Sequence, residues 1–192
     1  MEDTLFEIAA PTDKRSIVDA LETLDNEIGD YFEALSMEEF FAPQGTAWSP
    51  CGHLVHLIKS VSPLARAMAL PRLLLALRFG RSRAGSGDFE AVRRRYREAL
   101  DGGLKAGPYG PSNRPEQLPA AARRGRTLGR WRRAGGELRG VIHRWSEEDL
   151  DRYRLPHPGI GKLTVREMLF FTVYHNAHHA RRVLERRLKA DP

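Results

Sequence analysis

The sequence predicts an all-α protein, a four-helix bundle with extra short helices in its middle. Three observations support this fold class. Four long segments carry apolar residues at helical spacing, the connections between them are long, and no segment shows the alternation that is typical of a strand. The length of 192 residues suits a single domain over 1–192, with a basic, partly irregular insertion at about 72–115.

The first predicted helix begins at Thr12, a favourable N-cap residue, and Asp13 suits the positive end of the helix dipole. Its apolar stripe consists of Ile17, Leu21, Leu24, Ile28 and Leu35. A loop is predicted over 36–47, because this stretch contains Pro43 and Gly45.

The second predicted helix has a clear start, in which Ser49 is the cap and Pro50 takes the first helical position. It is expected to reach about Leu70, because Pro71 then removes a backbone donor and clashes with the preceding turn.

The middle of the chain is basic and rich in Gly and Pro. Short helices are predicted at 72–79 and from Asp88 to about Leu100, and 101–115 is predicted to be irregular. Sixteen basic and five acidic residues lie between Arg72 and Arg133, whereas the whole chain has a net charge of +6. We therefore expect Arg72 to Arg133 to pack little apolar surface and to be the most mobile part of the fold.

The third long helix is predicted within Glu116 to Trp145. Its stripe is Leu128, Trp131, Leu138, Ile142 and Trp145. Five glycines weaken it, and close approach by a neighbouring helix is one reason for small residues there. A loop is predicted over 146–163. The last helix opens with a capping box of Thr164 and Glu167 and continues to about Lys189.

The histidines of the last helix suggest a metal site. His175 and His179 are one turn apart and about 40° apart around the axis, so both imidazoles can reach one ion. His175 with His178 is the second-choice pair. A third ligand must come from another helix, where His56 and His53 are available, and a water would complete an open site. The alternative is that the pattern arose by chance among ordinary surface or core histidines.

Two segments, 48–57 and 157–179, resemble the DinB-like superfamily. The first reads Trp-Ser-Pro followed by Gly-His-Leu-Val-His-Leu, and the second runs from a His-Pro pair to the last helix. The resemblance implies an up-up-down-down bundle and a three-histidine metal site with one ligand in the second helix and two in the last. By motif match, the ligands are His56, His175 and His179.

The resemblance also bears on the remaining candidate residues. It makes His53 and His178 neighbours of the site, and it gives His157 a role in loop geometry. Arg182 stands where the family often has Gln, which leaves the substrate open. The single cysteine, Cys51, excludes a multi-cysteine metal site and is expected to face away from the histidines as an ordinary structural residue.

The family includes bacillithiol- and mycothiol-dependent S-transferases and metal-dependent isomerases, so the resemblance implies a metal-dependent enzyme. A divalent ion on three neutral imidazoles keeps its charge and could lower the pKa of a bound thiol or water. No carboxylate in the motif is placed to act as a base for water, which favours the thiol slightly. Zinc and nickel are the preferred ions, with iron as a further candidate. No catalytic residue is identified beyond the ligands.

Two alternative functions remain open. One is a metal-binding stress or interaction protein without catalysis, and the other is a basic nucleic-acid-binding protein, which the sparse aromatic residues of the basic middle disfavour. The expected partner is a small molecule, with a low-molecular-weight thiol as a candidate whose carboxylates an Arg-rich rim could hold. No membrane partner is expected, and a homodimer is left open. The acidic N-terminus lacks the features of a signal peptide and predicts a cytoplasmic protein.

Overall fold

The computed structural model describes residues 5–111 and 117–190. Glu116, the first residue of the range predicted to contain the third long helix, and 112–115, the end of the predicted insertion, lie outside these residues.

The described residues form helices and one small hairpin. The helices are α1 (Lys14–Ala34), α2 (Met37–Phe41), α3 (Pro50–Met68), α4 (Arg72–Phe79), α5 (Phe89–Asp101), α6 (Ala120–Ile142), α7 (Glu147–Arg152) and α8 (Val165–Ala190), with a 3₁₀ turn at Gly107–Tyr109. Strands β1 (Arg154–His157) and β2 (Gly161–Thr164) pair antiparallel, with Arg154 opposite Thr164.

The predicted four-helix bundle is confirmed. Helices α1 and α3 each pack against both α6 and α8, so the four long helices surround one shared core. The two short strands and α7 were not predicted, and the expectation of a loop over 146–163 is wrong. Strands of four residues are too short to show a period-two pattern, and β1 contains a proline.

The start of α1 differs by one residue from the prediction. Asp13, not Thr12, is the N-cap, because its carboxylate accepts a hydrogen bond from the backbone N–H of Ser16 while the Ser16 hydroxyl caps the Asp13 N–H. A second capping box, between Ser36 and Glu39, starts α2 inside the predicted loop. The sequence prediction overlooked this one because the helix is only five residues long.

Helix α3 begins as predicted, with the Ser49 hydroxyl accepting from the backbone N–H of Gly52 at 3.1 Å and Pro50 in the first position. It ends at Met68, two residues before the predicted limit, and α4 starts after Pro71. In the described part of the chain, no single helix has both the length and the apolarity to cross a membrane; α3 and α4 meet that test only as a pair, bent by 111°.

The basic middle of the chain contributes to the core. Its buried side chains include Leu75, Phe89, Val92, Tyr96, Leu128 and Trp131. The expectation that this region packs little apolar surface is therefore wrong for α5 and the first half of α6, whereas α4 buries only Leu75 and leaves Leu73, Leu74 and Leu77 exposed. The mobility of this region stays a prediction. In α5 and α6, amphipathic spacing outweighs the high local charge, because the arginines lie towards solvent on helices whose other side is apolar.

One of the five α6 glycines allows a close helix approach. A Cβ on Gly135 would collide with the carboxylate of Asp25 on α1, which is buried and pairs with Arg139. The other four glycines face open space. The prediction of close approach is thus confirmed at one position.

Helix α8 starts with the predicted capping box. The Thr164 N–H donates to the Glu167 carboxylate at 2.8 Å, and the Glu167 N–H donates to the Thr164 hydroxyl at 3.1 Å. The buried guanidinium of Arg166 bonds to Glu147 and Asp151 of α7, which ties that short helix to the base of α8.

Candidate metal centre

Three buried histidines converge where α3 faces α8. His56 comes from α3, and His175 and His179 come from successive turns of α8. One ligand atom from each lies within 4.8 Å of the others. The predicted convergence of these three side chains is confirmed, and the three could hold a metal ion.

The nitrogens are spaced as a shared ion requires. The Nε2 atoms of His56 and His175 are 3.0 Å apart. Two nitrogens on one tetrahedral zinc, each at about 2.0–2.1 Å, would lie about 3.4 Å apart, so this pair needs a shift of only a few tenths of an ångström. The three ligand atoms lie within 4.8 Å of one another, so the third nitrogen needs a larger but still local adjustment at most. The donor set therefore fits a divalent transition metal.

Backbone geometry fixes the tautomer of His56. Its Nδ1 lies 3.0 Å from the carbonyl oxygen of Tyr109, in the 3₁₀ turn. A carbonyl only accepts, so Nδ1 carries the proton and Nε2 keeps a lone pair directed at His175. Outer hydrogen bonds of this kind orient metal-binding imidazoles in general.

His53 is the outer partner of His179. Their Nδ1 atoms are 2.9 Å apart, which requires one to donate and the other to accept. The Nε2 atom of His53 is buried and has no hydrogen-bond partner within the described ranges. His53 therefore lies next to the cluster, in the neighbouring position that the resemblance implied.

The cluster is held in its neutral form. Burial, together with the positive charge that neighbouring imidazoles would carry, holds the pKa of His175 and of His179 well below the usual histidine value. Burial also lowers the pKa of His56, and it lowers the pKa of His53 to about 4, with Arg186 adding to the effect. Neutral imidazoles are the form that binds metal, so no proton has to leave at pH 7.

Two aromatic rings flank the histidines. The Trp48 indole lies parallel to the His179 ring with centroids 6.2 Å apart, and Phe171 stacks on His175 at 4.9 Å. Sequence reasoning used Trp48 only as part of the motif at the start of the second helix. Its place immediately before the cap of the helix that carries His56 was the signal that could have identified it.

A cavity of about 850 Å³ opens beside the cluster. Its wall is largely apolar, with Leu64, Phe79 and Met168 among the lining residues, and its cations are Lys105, Arg182 and Arg186. No Asp or Glu belongs to the lining, as far as the described residues go. An ion in this site would have no protein carboxylate beside it.

His157 faces the same cavity from the hairpin. Its Nδ1 accepts hydrogen bonds from the backbone N–H groups of Gly159 and Ile160, at 3.1 and 3.2 Å, so its proton is on Nε2. Burial lowers its pKa to about 4, and Arg95 adds to this. These bonds shape the turn of the hairpin, in agreement with the loop role that the resemblance implied.

The other candidates lie outside the cavity wall. His178 stacks on Tyr174 at 5.8 Å and does not line the cavity, so the second-choice pair of His175 and His178 is not the one that the fold brings together. Cys51 is buried and is not part of the lining either. Its predicted orientation away from the histidines is consistent with this.

The fold and the site together define a class: helical bundles in which histidines from two helices form a potential metal centre beside a cavity. The family model of the DinB superfamily matches residues 20–183, and the chain belongs to that superfamily. No curated protein matches the chain.

Two crystal structures share the fold. One is TT2238, a four-helix bundle protein, with 18% identity and a TM-score of 0.53 over 93% of this chain and 99% of that one. The other is the colibactin self-resistance protein ClbS in complex with a dsDNA, with 15% identity and a TM-score of 0.51 over 93% and 98%. At these identities the likeness concerns the fold alone.

Proposed function

We propose that this protein is a metal-dependent enzyme that acts on a small molecule, by S-transfer from a thiol or by hydrolysis. His56, His175 and His179 hold a divalent ion, with zinc or nickel preferred and iron as a further candidate. The observation that carries the proposal is the convergence of three buried, neutral imidazoles at the edge of a large cavity.

The residues of the chain prepare the site in three ways. The Tyr109 carbonyl orients His56, His53 supports His179, and the Trp48 and Phe171 rings flank the cluster. A divalent ion bound there would supply Lewis acidity, which lowers the pKa of a thiol or a water in the open position.

The composition of the cavity wall favours the thiol. Hydrolysis is helped by a carboxylate that takes a proton from water, and the described lining contains no Asp or Glu. His157 is neutral and has its proton on Nε2, so its Nε2–H group donates a hydrogen bond and cannot accept a proton from water. A thiol needs less help, because its pKa is already near 8.5.

His175→Ala tests the proposal. The variant should lose bound metal and turnover while keeping its helical circular dichroism, because the apolar core extends over the whole bundle and does not depend on the ion. His178→Ala is the matched control, since it removes an imidazole from the same helix outside the cavity wall. The assay pairs metal content with turnover of an electrophile by a thiol and with hydrolysis.

Two outcomes would contradict the proposal that the protein is a metal-dependent enzyme. Full turnover by metal-free His175→Ala would show that the ion is not catalytic. Stoichiometric metal binding without turnover of any thiol or hydrolysable substrate would instead favour a metal-binding stress or interaction protein.

A second candidate function is nucleic-acid binding. Its support is the net charge of +6 and the fold shared with ClbS, whose crystal structure contains a dsDNA. Duplex binding measured by fluorescence anisotropy at increasing salt tests it, because phosphate contacts weaken steeply as salt rises. Submicromolar binding of the duplex at 150 mM salt would favour nucleic-acid binding over the enzyme as the proposed function.

We further propose that the chain acts as one domain, since a single cluster of buried side chains extends from α1 to α8. A homodimer also remains a proposal, and light scattering on the purified protein would decide it.

A further inference from the structure

The cationic residues of the cavity lie on the same stripe of α8 as the histidines. Phe171, His175, His179, Arg182 and Arg186 follow at spacings of four, four, three and four residues, and all five line the cavity. Residues at this spacing share one helix face. At about 1.5 Å per residue, the guanidinium-bearing positions lie about 4.5 and 10.5 Å beyond His179 along the axis, and Phe171 lies about 6 Å before His175.

The two arginines have no anionic partner in the described part of the chain. None of its carboxylates is within ion-pair distance of Arg182 or Arg186, whereas their neighbour Arg187 pairs with Glu39 at 3.0 Å. Both line the same cavity as His53 and His179, which places their charge beside the histidine cluster. A divalent ion would add further positive charge, and the described lining offers no carboxylate to balance it.

The opposite end of the cavity is apolar. Leu64, Phe79, Met168 and Phe171 form it, next to Leu155 from the hairpin. A bound molecule would therefore meet an apolar wall on one side of the histidines and unpaired guanidinium groups on the other. This asymmetry determines what kind of molecule fits.

We propose that the cavity binds an amphiphilic organic anion, whose carboxylate pairs with Arg182 and Arg186 and whose apolar body lies along the Leu64, Phe79 and Met168 wall. The part of the molecule between these ends then passes the three histidines. The inference rests on the proposed function, since it names the substrate class of the same site. Guanidinium groups suit a carboxylate because their planar donors match its two oxygens.

The test compares two probes of equal shape, 6-phenylhexanoate and its neutral amide. Binding to the full chain is measured by calorimetry and by tryptophan fluorescence. Trp48 lines the cavity, whereas Trp131 and Trp145 are buried in the core. The chain is used as purified and after chelator treatment. In the chelated form a carboxylate preference reports the cations of the cavity wall, and the arginine variants separate Arg182 and Arg186 from Lys105.

Wild type should prefer the carboxylate by about fivefold to tenfold, and the preference should shrink as salt rises. Arg182→Gln and Arg186→Gln should each reduce it, and the double variant should remove it. Arg15 lies on α1, outside the cavity wall. Arg15→Gln changes the net charge by the same amount as either single variant, and it should retain the preference for the carboxylate. Circular dichroism checks that each variant is folded.

Three results would overturn the inference: equal binding of both probes by wild type, a preference that survives in the double variant, or no carboxylate binding up to millimolar concentration. None of them affects the metal and turnover test. An anion preference with no turnover would support the anion-binding site and contradict the proposed enzyme. Turnover without an anion preference would support the enzyme and contradict the anion-binding site.

Discussion

The imidazole of His179 illustrates how single residues depend on one another in this site. One face lies against Trp48, its Nδ1 contacts His53, and its neighbours on the inner side are His56 and His175. Burial makes charging any of these histidine rings costly, so each is held neutral, and each has at least one ring nitrogen in contact with a partner. The position of one ring therefore constrains the others.

His53→Ala is expected to weaken metal binding by about 10- to 100-fold, although the three ligands remain. The reason is that His179 loses the hydrogen bond that fixes its ring. Competition with a chromophoric chelator measures the affinity. His178→Ala should leave it unchanged, and equal weakening in both variants would indicate a general effect of losing an imidazole.

Between elements, the contact of α1 with α6 depends on one missing side chain. Gly135 leaves room for the buried carboxylate of Asp25, which pairs with Arg139, and the indole N–H of Trp131 donates to the Asp25 carbonyl at 3.1 Å. The charged pair lies inside the helix interface. Such a pair is costly to disturb, because separating its partners leaves a buried charge uncompensated.

Gly135→Ala should lower the free energy of unfolding, because its Cβ would displace the Asp25 carboxylate. A loss of about 1–3 kcal/mol is expected for overpacking at a buried position. Gly136→Ala, whose Cβ would meet open space, should instead stabilise the helix by up to about 1 kcal/mol. Urea denaturation measures the change in the free energy of unfolding for both variants. If both substitutions stabilise the protein, the interface between α1 and α6 accommodates the added Cβ and the prediction is wrong.

At the scale of the whole molecule, we expect folding not to depend on a bound ion. The core draws on every helix from α1 to α8 and extends well beyond the histidine cluster. A bound ion then adds stability through mass action and does not create the fold. The buried neutral histidines make the stability of the bundle depend on pH. The reason is that histidines in the unfolded chain bind protons at pH values where the buried ones stay neutral.

The metal-free protein should lose stability as pH falls from about 6.5 through 4. Folded-state pKa values of about 4 for His53, His157 and His178 lie below the unfolded value of 6.5, so the unfolded state binds more protons throughout this window. Thermal unfolding at a series of pH values measures the slope. His178→Gln should flatten it, and the exposed His143→Gln serves as the control. An unchanged slope in His178→Gln would contradict the assignment.

Several features could be predicted from the sequence because they depend on neighbours three or four residues apart. The cap of α3 by Ser49, the capping box of Thr164 and Glu167, and the pairing of His175 with His179 on one face are all local geometry. The bundle itself followed from apolar spacing on four long segments. The proposed third ligand, His56, came from the resemblance to the family.

The tertiary structure decided the rest. Spacing along α3 cannot distinguish His56 from His53, because the choice depends on how α3 is rotated against α8, and the packed structure directs the Nε2 of His56 at His175. The Tyr109 carbonyl and the Trp48 ring reach the site from other segments. The sequence by itself determined the helices and one pair of histidines, since these arise within a single turn. Only packing brought them together with the cavity, because contacts between distant segments depend on the rotation and approach of whole helices.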